Sequence, residues 1–177
     1  MSPIPVRDAL RQLAGEHLVV GGDSRGWEVA SFSPAELEEA CVVREALECA
    51  SARRCAERAT PEDVDTLRKI GRAIDESPPE IPLRGVEQER RFHLLFAKIA
   101  GWDRLRAEID RWMNPILFSY QVVAAVRTHP WIGPRHDLVV DAIATGDPDL
   151  AENAMREHIQ RRMRRPSSMA VGDDRVR

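Results

Sequence analysis

Four side chains in the second half of the sequence carry donor atoms of the kind that metal ions bind. Glu89 and His93 are four positions apart, so a helix would place this carboxylate and this imidazole on one face. His136 precedes a pair of valines at helical spacing, and His158 ends a row of apolar residues spaced by four. These spacings predict that the three imidazoles point into the protein interior.

Two interpretations of this group are open at the level of spacing. Imidazole nitrogens and a carboxylate oxygen form a donor set that suits divalent transition metals, and four protein ligands leave room for a small molecule on a six-coordinate ion. An inward-facing histidine is, however, commonly a hydrogen-bonded core residue. Three of the five histidines in the chain belong to the group.

Helices are predicted to position these residues, and the sequence marks where they start. Ser33, followed by Pro34 and by Glu36 three positions after the cap, forms a capping box that opens a helix over about 34–59. Thr60 repeats this pattern for a second helix, which ends before the Pro-rich loop "DESPPEIPLRG". Further helices are predicted at about 86–100, 102–127, 134–145 and from the cap "TGDPD" to about Arg165.

Some details of these elements can also be predicted. Pro115 is expected to kink or split the helix at 102–127, because proline removes a backbone donor and clashes with the preceding turn. On the last helix the row Leu150, Ala154, His158 is expected to face inward. Near the N-terminus, a short helix after Pro5 precedes "GGDSRGWEVA", which has the pattern of a tight two-stranded turn.

Length and composition limit the class of protein. With 177 residues, 43% of them hydrophobic, the chain can bury one core with a small appendage. Sparse aromatic residues and long Gly-free stretches with helical spacing predict an all-α fold. The sequence has no secretory signal and no apolar run of about 18 residues, so we expect a cytoplasmic protein. Three cysteines without CxxC spacing are predicted to be reduced, mostly buried thiols: Cys41, Cys49 and Cys55.

Several stretches together resemble one protein family. They are "SPIPVRDALRQLAGEHLV", "GGDSRGWEVA", "VVREALE", "ERRFH", "RHDLVVDAIATGD" and "AMREHI". The chain resembles a GntR-family transcriptional regulator of the FadR type, in which a winged helix-turn-helix is joined to an all-helical FCD effector domain. The resemblance implies a partial winged helix-turn-helix over 1–31 and an FCD-like domain over 32–165. Short loops and one apolar face on each helix predict that this domain is an antiparallel bundle of six or seven helices. The tail over 166–177 is expected to be disordered.

The resemblance also implies a role for the four candidate ligands. In the family an interior metal binds an organic-acid effector, and a D-x-x-x-H pair with two later histidines holds the metal. These positions fall on Glu89, His93, His136 and His158. Zinc, nickel and manganese are the candidate ions, because imidazole and carboxylate suit all three. The extra methylene of Glu89, where the family has aspartate, predicts weaker or altered metal binding.

Two residues are candidates for binding the effector. By resemblance, Arg44 in "VVREALE" would clamp the effector's carboxylate with its guanidinium group, opposite the metal. The alternative is a surface charge that pairs with Glu48 four positions later. Asn114, on a largely apolar helix, is the second candidate, with a structural amide as its alternative.

The N-terminal segment matches only part of a DNA-binding module. Arg7 matches a DNA-contacting arginine of the family, and Arg25 with Gly26 matches the tip of the wing. Pro3 and Ile4 replace an arginine and a threonine, and they donate no hydrogen bond to phosphates or bases. The first thirty residues carry three arginines against four acidic residues, a net charge of −1. In the family a helix and most of a second precede this segment, so operator binding is expected if those helices lie upstream.

The sequence therefore leaves three functions of different classes open. The first is a ligand-responsive bacterial transcriptional regulator, a homodimer in which the metal and a small organic acid modulate DNA binding. The second is an effector-domain-only protein that dimerises or pairs with full-length relatives and no longer binds DNA. The third, a metal-dependent enzyme, is not expected, because all four candidate acid–base groups would serve as ligands.

Overall fold

The chain begins with a helix followed by a hairpin. A computed structural model describes residues 3–22, 25–76, 82–126 and 135–163. Helix α1 (Pro3–Gly15) leads into strands β1 (Val19–Gly22) and β2 (Gly26–Val29). The strands pair antiparallel, with Val19 opposite Val29 and Gly22 opposite Gly26. The two strands predicted for "GGDSRGWEVA" are therefore present.

Six further helices form the rest of the described chain. They are α2 (Pro34–Ala56), α3 (Pro61–Asp75), α4 (Pro82–Ala100), α5 (Asp103–Val126), α6 (His136–Ala144) and α7 (Pro148–Met163). Both predicted capping boxes are formed, at Ser33 with Glu36 and at Thr60 with Asp63. The prediction of an all-α bundle of six or seven helices is confirmed.

Helices α4 and α5 depart from their predicted form. Helix α4 begins at Pro82 rather than near residue 86, because proline fits the first turn of a helix, where its missing N–H needs no partner. Helix α5 runs through Pro115 as one element, so this proline does not split it. The loop "THPWIGP" and the tail from 166 to 177 lie outside the described residues.

Helix α2 lies at the centre of the packing. It contacts α4, α5, α6 and α7, while α3 packs on α4 and α6. The main core includes Leu67, Phe92, Phe96, Val139 and Met155, each with a fully buried side chain. A smaller apolar cluster joins α4 to α5.

The inward face of α7 differs from the predicted row. Leu150 is 47% exposed, whereas Ala151, Met155 and Ile159 are buried beside His158. The buried face is therefore rotated by about one residue, because α7 packs against both α2 and α6 and these two contacts decide which side is covered. Within the described part of the chain, no helix has both the length and the apolar character needed to cross a membrane.

Candidate metal centre

The structure brings the four predicted ligands into one buried cluster. Glu89 and His93 lie on α4, His136 is the first residue of α6, and His158 lies on α7. Their exposed fractions are 5%, 0%, 0% and 3% respectively. One ring nitrogen from each histidine lies within 4.8 Å of the other two. Three helices therefore meet at this cluster, and the three imidazoles point into the interior, as their spacing predicted.

The Glu89 carboxylate lies between two of the imidazoles. Its Oε2 is 3.4 Å from Nε2 of His93, and its Oε1 is 3.4 Å from Nε2 of His136. Each carboxylate oxygen therefore faces a different histidine. The stacking of Glu89 and His93 on one helical turn is the relationship that their four-residue spacing predicted.

A carboxylate on the other side of the His93 ring determines its tautomer, and so whether Nε2 can bind a cation. Glu48 on α2 forms a hydrogen bond with Nδ1 of His93 through Oε2. Because a carboxylate accepts hydrogen bonds, Nδ1 carries the proton and Nε2 of the neutral ring carries a lone pair. That lone pair faces the Glu89 carboxylate, and two acceptors at this separation repel unless a proton or a cation lies between them.

This environment fits a metal ion. Nε2 of His93 is buried and has no hydrogen-bond partner among the described residues, a condition that is costly for a buried polar atom. In tetrahedral coordination, two nitrogens bound to one ion at about 2.1 Å are about 3.4 Å apart. The three ring nitrogens lie within 4.8 Å of one another, so metal binding would draw them closer together.

Glu48 also pairs with the predicted effector residue. Its Oε1 accepts a hydrogen bond from Nε of Arg44 at 2.7 Å, and both side chains are 1% exposed. Burial alone would raise the pKa of Glu48, but the positive charge of Arg44 and the interactions with His93 outweigh it and hold the pKa at about 2. Arg44 is thus paired with Glu48 as its spacing suggested, but the pair is buried and not a surface charge.

His136 has a carboxylate partner of the same kind. Asp75, the last residue of α3, places Oδ1 2.6 Å from Nδ1 of His136. The tautomer argument that applies to His93 applies here, so Nε2 of His136 also faces the cluster with its lone pair. Metal-binding histidines commonly have such a carboxylate behind them, which orients the ring and raises its basicity.

An aromatic side chain packs beside the histidine cluster. Phe92 is fully buried and meets the rings of His93 and His136 edge to face, with centroid distances of 5.6 and 4.8 Å. The ring of His158 lies 5.2 Å from His93 and 4.8 Å from His136. The apolar ring of Phe92 lowers the local dielectric, which strengthens the electrostatic attraction between the donor atoms and a cation.

A cavity leads from the surface to one edge of the cluster. It lies between α6 and α7 and has a volume of about 210 Å³. His158 forms part of its lining, together with Leu138, Leu150 and the guanidinium-bearing Arg135 and Arg161. Arg44 and Asn114 are not among its lining residues. Asn114 is half-buried on α5.

The three predicted DNA-contacting residues lie in the N-terminal part of the structure. Arg7 on α1 and Arg25 in the hairpin turn are exposed, and Gly26 begins β2 with φ of +80°, a conformation that favours glycine. A contact between side chains joins this part to the helical bundle, because Nη2 of Arg111 on α5 lies 3.3 Å from Nε2 of His17.

Sequence reasoning missed both carboxylates behind the imidazoles. The spacing indicates Glu48 only as a partner of Arg44, and it indicates no role for Asp75. These residues lie 45 and 61 positions from the histidines that they contact. No local spacing links residues so far apart, so the sequence alone offered no signal for either contact.

Comparison of the sequence with known families defines the class of protein. The chain belongs to the FCD-domain family, whose model matches residues 39–161. This confirms the predicted resemblance to GntR-type transcriptional regulators that carry an FCD domain. The RspR protein compared below is a transcriptional repressor, in agreement with the prediction of a regulator and not an enzyme.

Individual relatives support this assignment. The HTH-type transcriptional repressor RspR of Escherichia coli K12 is 29% identical over 167 residues, covering 88% of this chain and 69% of the repressor. The solved structure of E. coli McbR/YncC has a TM-score of 0.70 at 18% identity, covering 92% of this chain and 79% of that one. A GntR transcriptional regulator from Rhodococcus sp. RHA1 has a TM-score of 0.72 at 20% identity, covering 92% and 78%. These two structures confirm the fold.

Proposed function

We propose that this GntR-type regulator is controlled by a small organic acid that binds at a divalent metal in its helical domain. The observation that carries the proposal is the convergence of His93, His136, His158 and Glu89 in the interior, with carboxylates behind two of the imidazoles. Such a donor set suits zinc, nickel or manganese.

The ion and the residues around it would each make a different contact with the effector. The bound ion would supply a positive charge with coordination positions left for a carboxylate. Arg44 would supply a second anchor, because a guanidinium has five N–H donors and can bind Glu48 and an effector carboxylate together. Asn114 on α5 is a candidate for a further polar contact. The cavity between α6 and α7 reaches His158 and offers a route from solvent.

Control of transcription requires the N-terminal part to respond to this binding. We propose that residues 1–31 belong to a winged helix-turn-helix, with Arg7, Arg25 and Gly26 on the DNA side, and that 32–165 form the effector domain. The protein would act as a homodimer, so that an effector can change the relative position of two DNA-binding halves on a twofold operator.

One observation favours a second candidate function. The first thirty residues carry a net charge of −1, which gives little electrostatic attraction to DNA. The alternative is therefore an effector-domain protein that dimerises, or pairs with full-length relatives, without holding DNA itself.

Metal analysis tests the proposal. The purified wild-type protein, dialysed without chelator, should carry about one divalent ion per chain by mass spectrometry of the elements or take one up on titration. His136→Ala and His158→Ala should each lose most of it, and calorimetry with a panel of small carboxylic acids should show parallel loss of effector binding. His17→Ala, which changes an exposed histidine, is the control and should keep the metal. A wild-type protein that takes up no ion would return the three histidines to the role of core residues.

A further inference from the structure

The N-terminus of α6 is capped by a side chain of another helix, α3. Arg135, the residue before the helix, makes no capping hydrogen bond with its side chain. The carboxylate of Asp75 at the end of α3 takes this place, because its Oδ2 accepts the backbone N–H of His136 at 3.3 Å. Its Oδ1 lies 2.6 Å from Nδ1 of the same residue. One carboxylate therefore fixes both the beginning of α6 and the orientation of the imidazole.

Gly71 makes this close arrangement possible. It lies one turn before Asp75 on α3, and a Cβ built on it would lie 2.9 Å from Cβ of His136. Real Cβ atoms essentially never approach so closely. Since Gly71 is not among the glycines with positive φ, the position requires glycine for close packing and not for its backbone conformation. Any side chain here would push α6 away from Asp75.

The two residues act on the same atom of the centre. Asp75 accepts a hydrogen bond, so it selects the tautomer of His136 that is protonated on Nδ1 and has its lone pair on Nε2. Nε2 is the nitrogen that lies 3.4 Å from Oε1 of Glu89. Gly71 sets the distance between α3 and α6 at which that hydrogen bond can form.

We propose that Asp75 and Gly71 are positioning residues of the metal centre. We call this pair the cradle on α3. It orients Nε2 of His136 towards the metal site already in the metal-free protein. This inference rests on the metal binding proposed above, but the tautomer of His136 is a property of the metal-free protein. The two ideas can therefore be tested separately.

The first measurement is the tautomer of His136 in the metal-free protein. Long-range ¹H–¹⁵N NMR at about pH 8, above the ordinary histidine pKa of about 6.5, distinguishes the two neutral forms. Wild-type protein should hold the proton on Nδ1, and Asp75→Ala should move it largely to Nε2. The matched control is Asp141→Asn, because Asp141 on α6 binds Arg68 on α3 at 2.7 Å and so links the same two helices without touching a ligand. An unchanged tautomer in Asp75→Ala would overturn the proposal.

The second measurement is zinc affinity by competition with a chelator. Asp75→Ala and Gly71→Ala should each weaken zinc binding about 10–100-fold, the usual effect of losing support behind a metal-binding histidine, while Asp141→Asn should bind like wild type. Circular dichroism checks that each variant folds, and Asp75→Leu, which keeps the size of the side chain but has no acceptor, replaces Asp75→Ala if the latter does not. Wild-type affinity in a variant whose tautomer has changed would also overturn the proposal. A wild-type protein that binds no zinc or other divalent ion would defeat the proposed function, and the tautomer would still decide whether the cradle positions His136.

Discussion

Glu48 on α2 and His93 on α4 are hydrogen-bonded in the protein interior, although 45 positions separate them in the sequence. The second oxygen of Glu48 binds Arg44, so one carboxylate joins the candidate effector residue to a candidate metal ligand. Because α2 contacts most of the other helices, this interaction connects the centre to the middle of the bundle.

Glu48→Gln should strongly destabilise the fold. The substitution removes the counter-charge of Arg44 in a site where both side chains are 1% exposed, and breaking a buried ion pair costs about 3–5 kcal/mol. The free energy of unfolding in urea measures this effect. Glu152→Gln is the matched control, since Glu152 and Arg156 are also four positions apart with an N–O distance of 2.7 Å, but are 29% and 38% exposed. Its loss should stay below about 1 kcal/mol. Equal losses in the two variants would contradict the prediction.

Substitutions at two buried phenylalanines should distinguish an effect on stability from an effect on metal affinity. Phe92 contacts the imidazoles, whereas Phe96 packs against Phe92 at a centroid distance of 5.0 Å, and both are fully buried. Phe92→Leu and Phe96→Leu should each lower the free energy of unfolding by about 1 kcal/mol. We expect only Phe92→Leu to weaken metal affinity, because it alone removes a wall of the centre. The same loss of affinity in Phe96→Leu would show that general loosening of the core is responsible.

Two of the three cysteines should react slowly with thiol reagents. Burial raises the pKa of Cys49 and of Cys55 to about 12, so at pH 8 about one thiol in ten thousand is ionised. Cys41 is only half-buried and should be alkylated first by iodoacetamide, as read by peptide mass spectrometry. In concentrated guanidinium chloride all three should react at similar rates. Fast labelling of Cys49 or Cys55 in the folded protein would be inconsistent with their burial.

The same pKa shifts predict how stability depends on pH in the alkaline range. Since the folded state holds these two thiol protons more tightly than the unfolded state, their contribution to stability is complete below the ordinary pKa of 9.0. It is lost as the pH rises towards about 12. Urea unfolding of wild type and of Cys55→Ala across this range should show a steeper alkaline loss in wild type; parallel curves would be evidence against the shift at Cys55.

The protein should be a homodimer in solution. The chain mass is 20.0 kDa, so light scattering should give twice this value, because twofold symmetric pairs are the commonest oligomers. Dilution should eventually produce monomers with a concentration-dependent midpoint. A monomer at every concentration would count against both the regulator and the alternative interaction protein.

DNA binding by the 177-residue chain should be weak at physiological salt. The first thirty residues have a net charge of −1, and phosphate contacts by lysine and arginine supply most of the affinity for DNA. A gel shift with upstream DNA of the chain's own gene is the measurement, with Arg7→Ala and Arg25→Ala as variants. Tight sequence-specific binding that these variants abolish would show that few charges are enough.

The sequence by itself determined the elements that depend on near neighbours. Ser33 and Glu36 form reciprocal hydrogen bonds of 2.8 and 3.3 Å across three positions, so their capping box was readable without knowing the rest of the fold. The placement of Glu89 below His93 depends only on the helical repeat, and it too was predicted. The helical class and the hairpin rest on the same local rules.

Only the tertiary structure decided which distant residues support the centre and which faces are covered. The contacts of Glu48 with His93 and of Asp75 with His136 join different helices, and the burial of Arg44 follows from the helices that pack around α2. The packing of α7 against α2 and α6 likewise decides that Leu150 is exposed. Hydrogen bonds within one turn are set by helix geometry. Contacts between helices depend instead on how several apolar faces pack together. The spacing of residues along one helix carries no information about which helices pack against it.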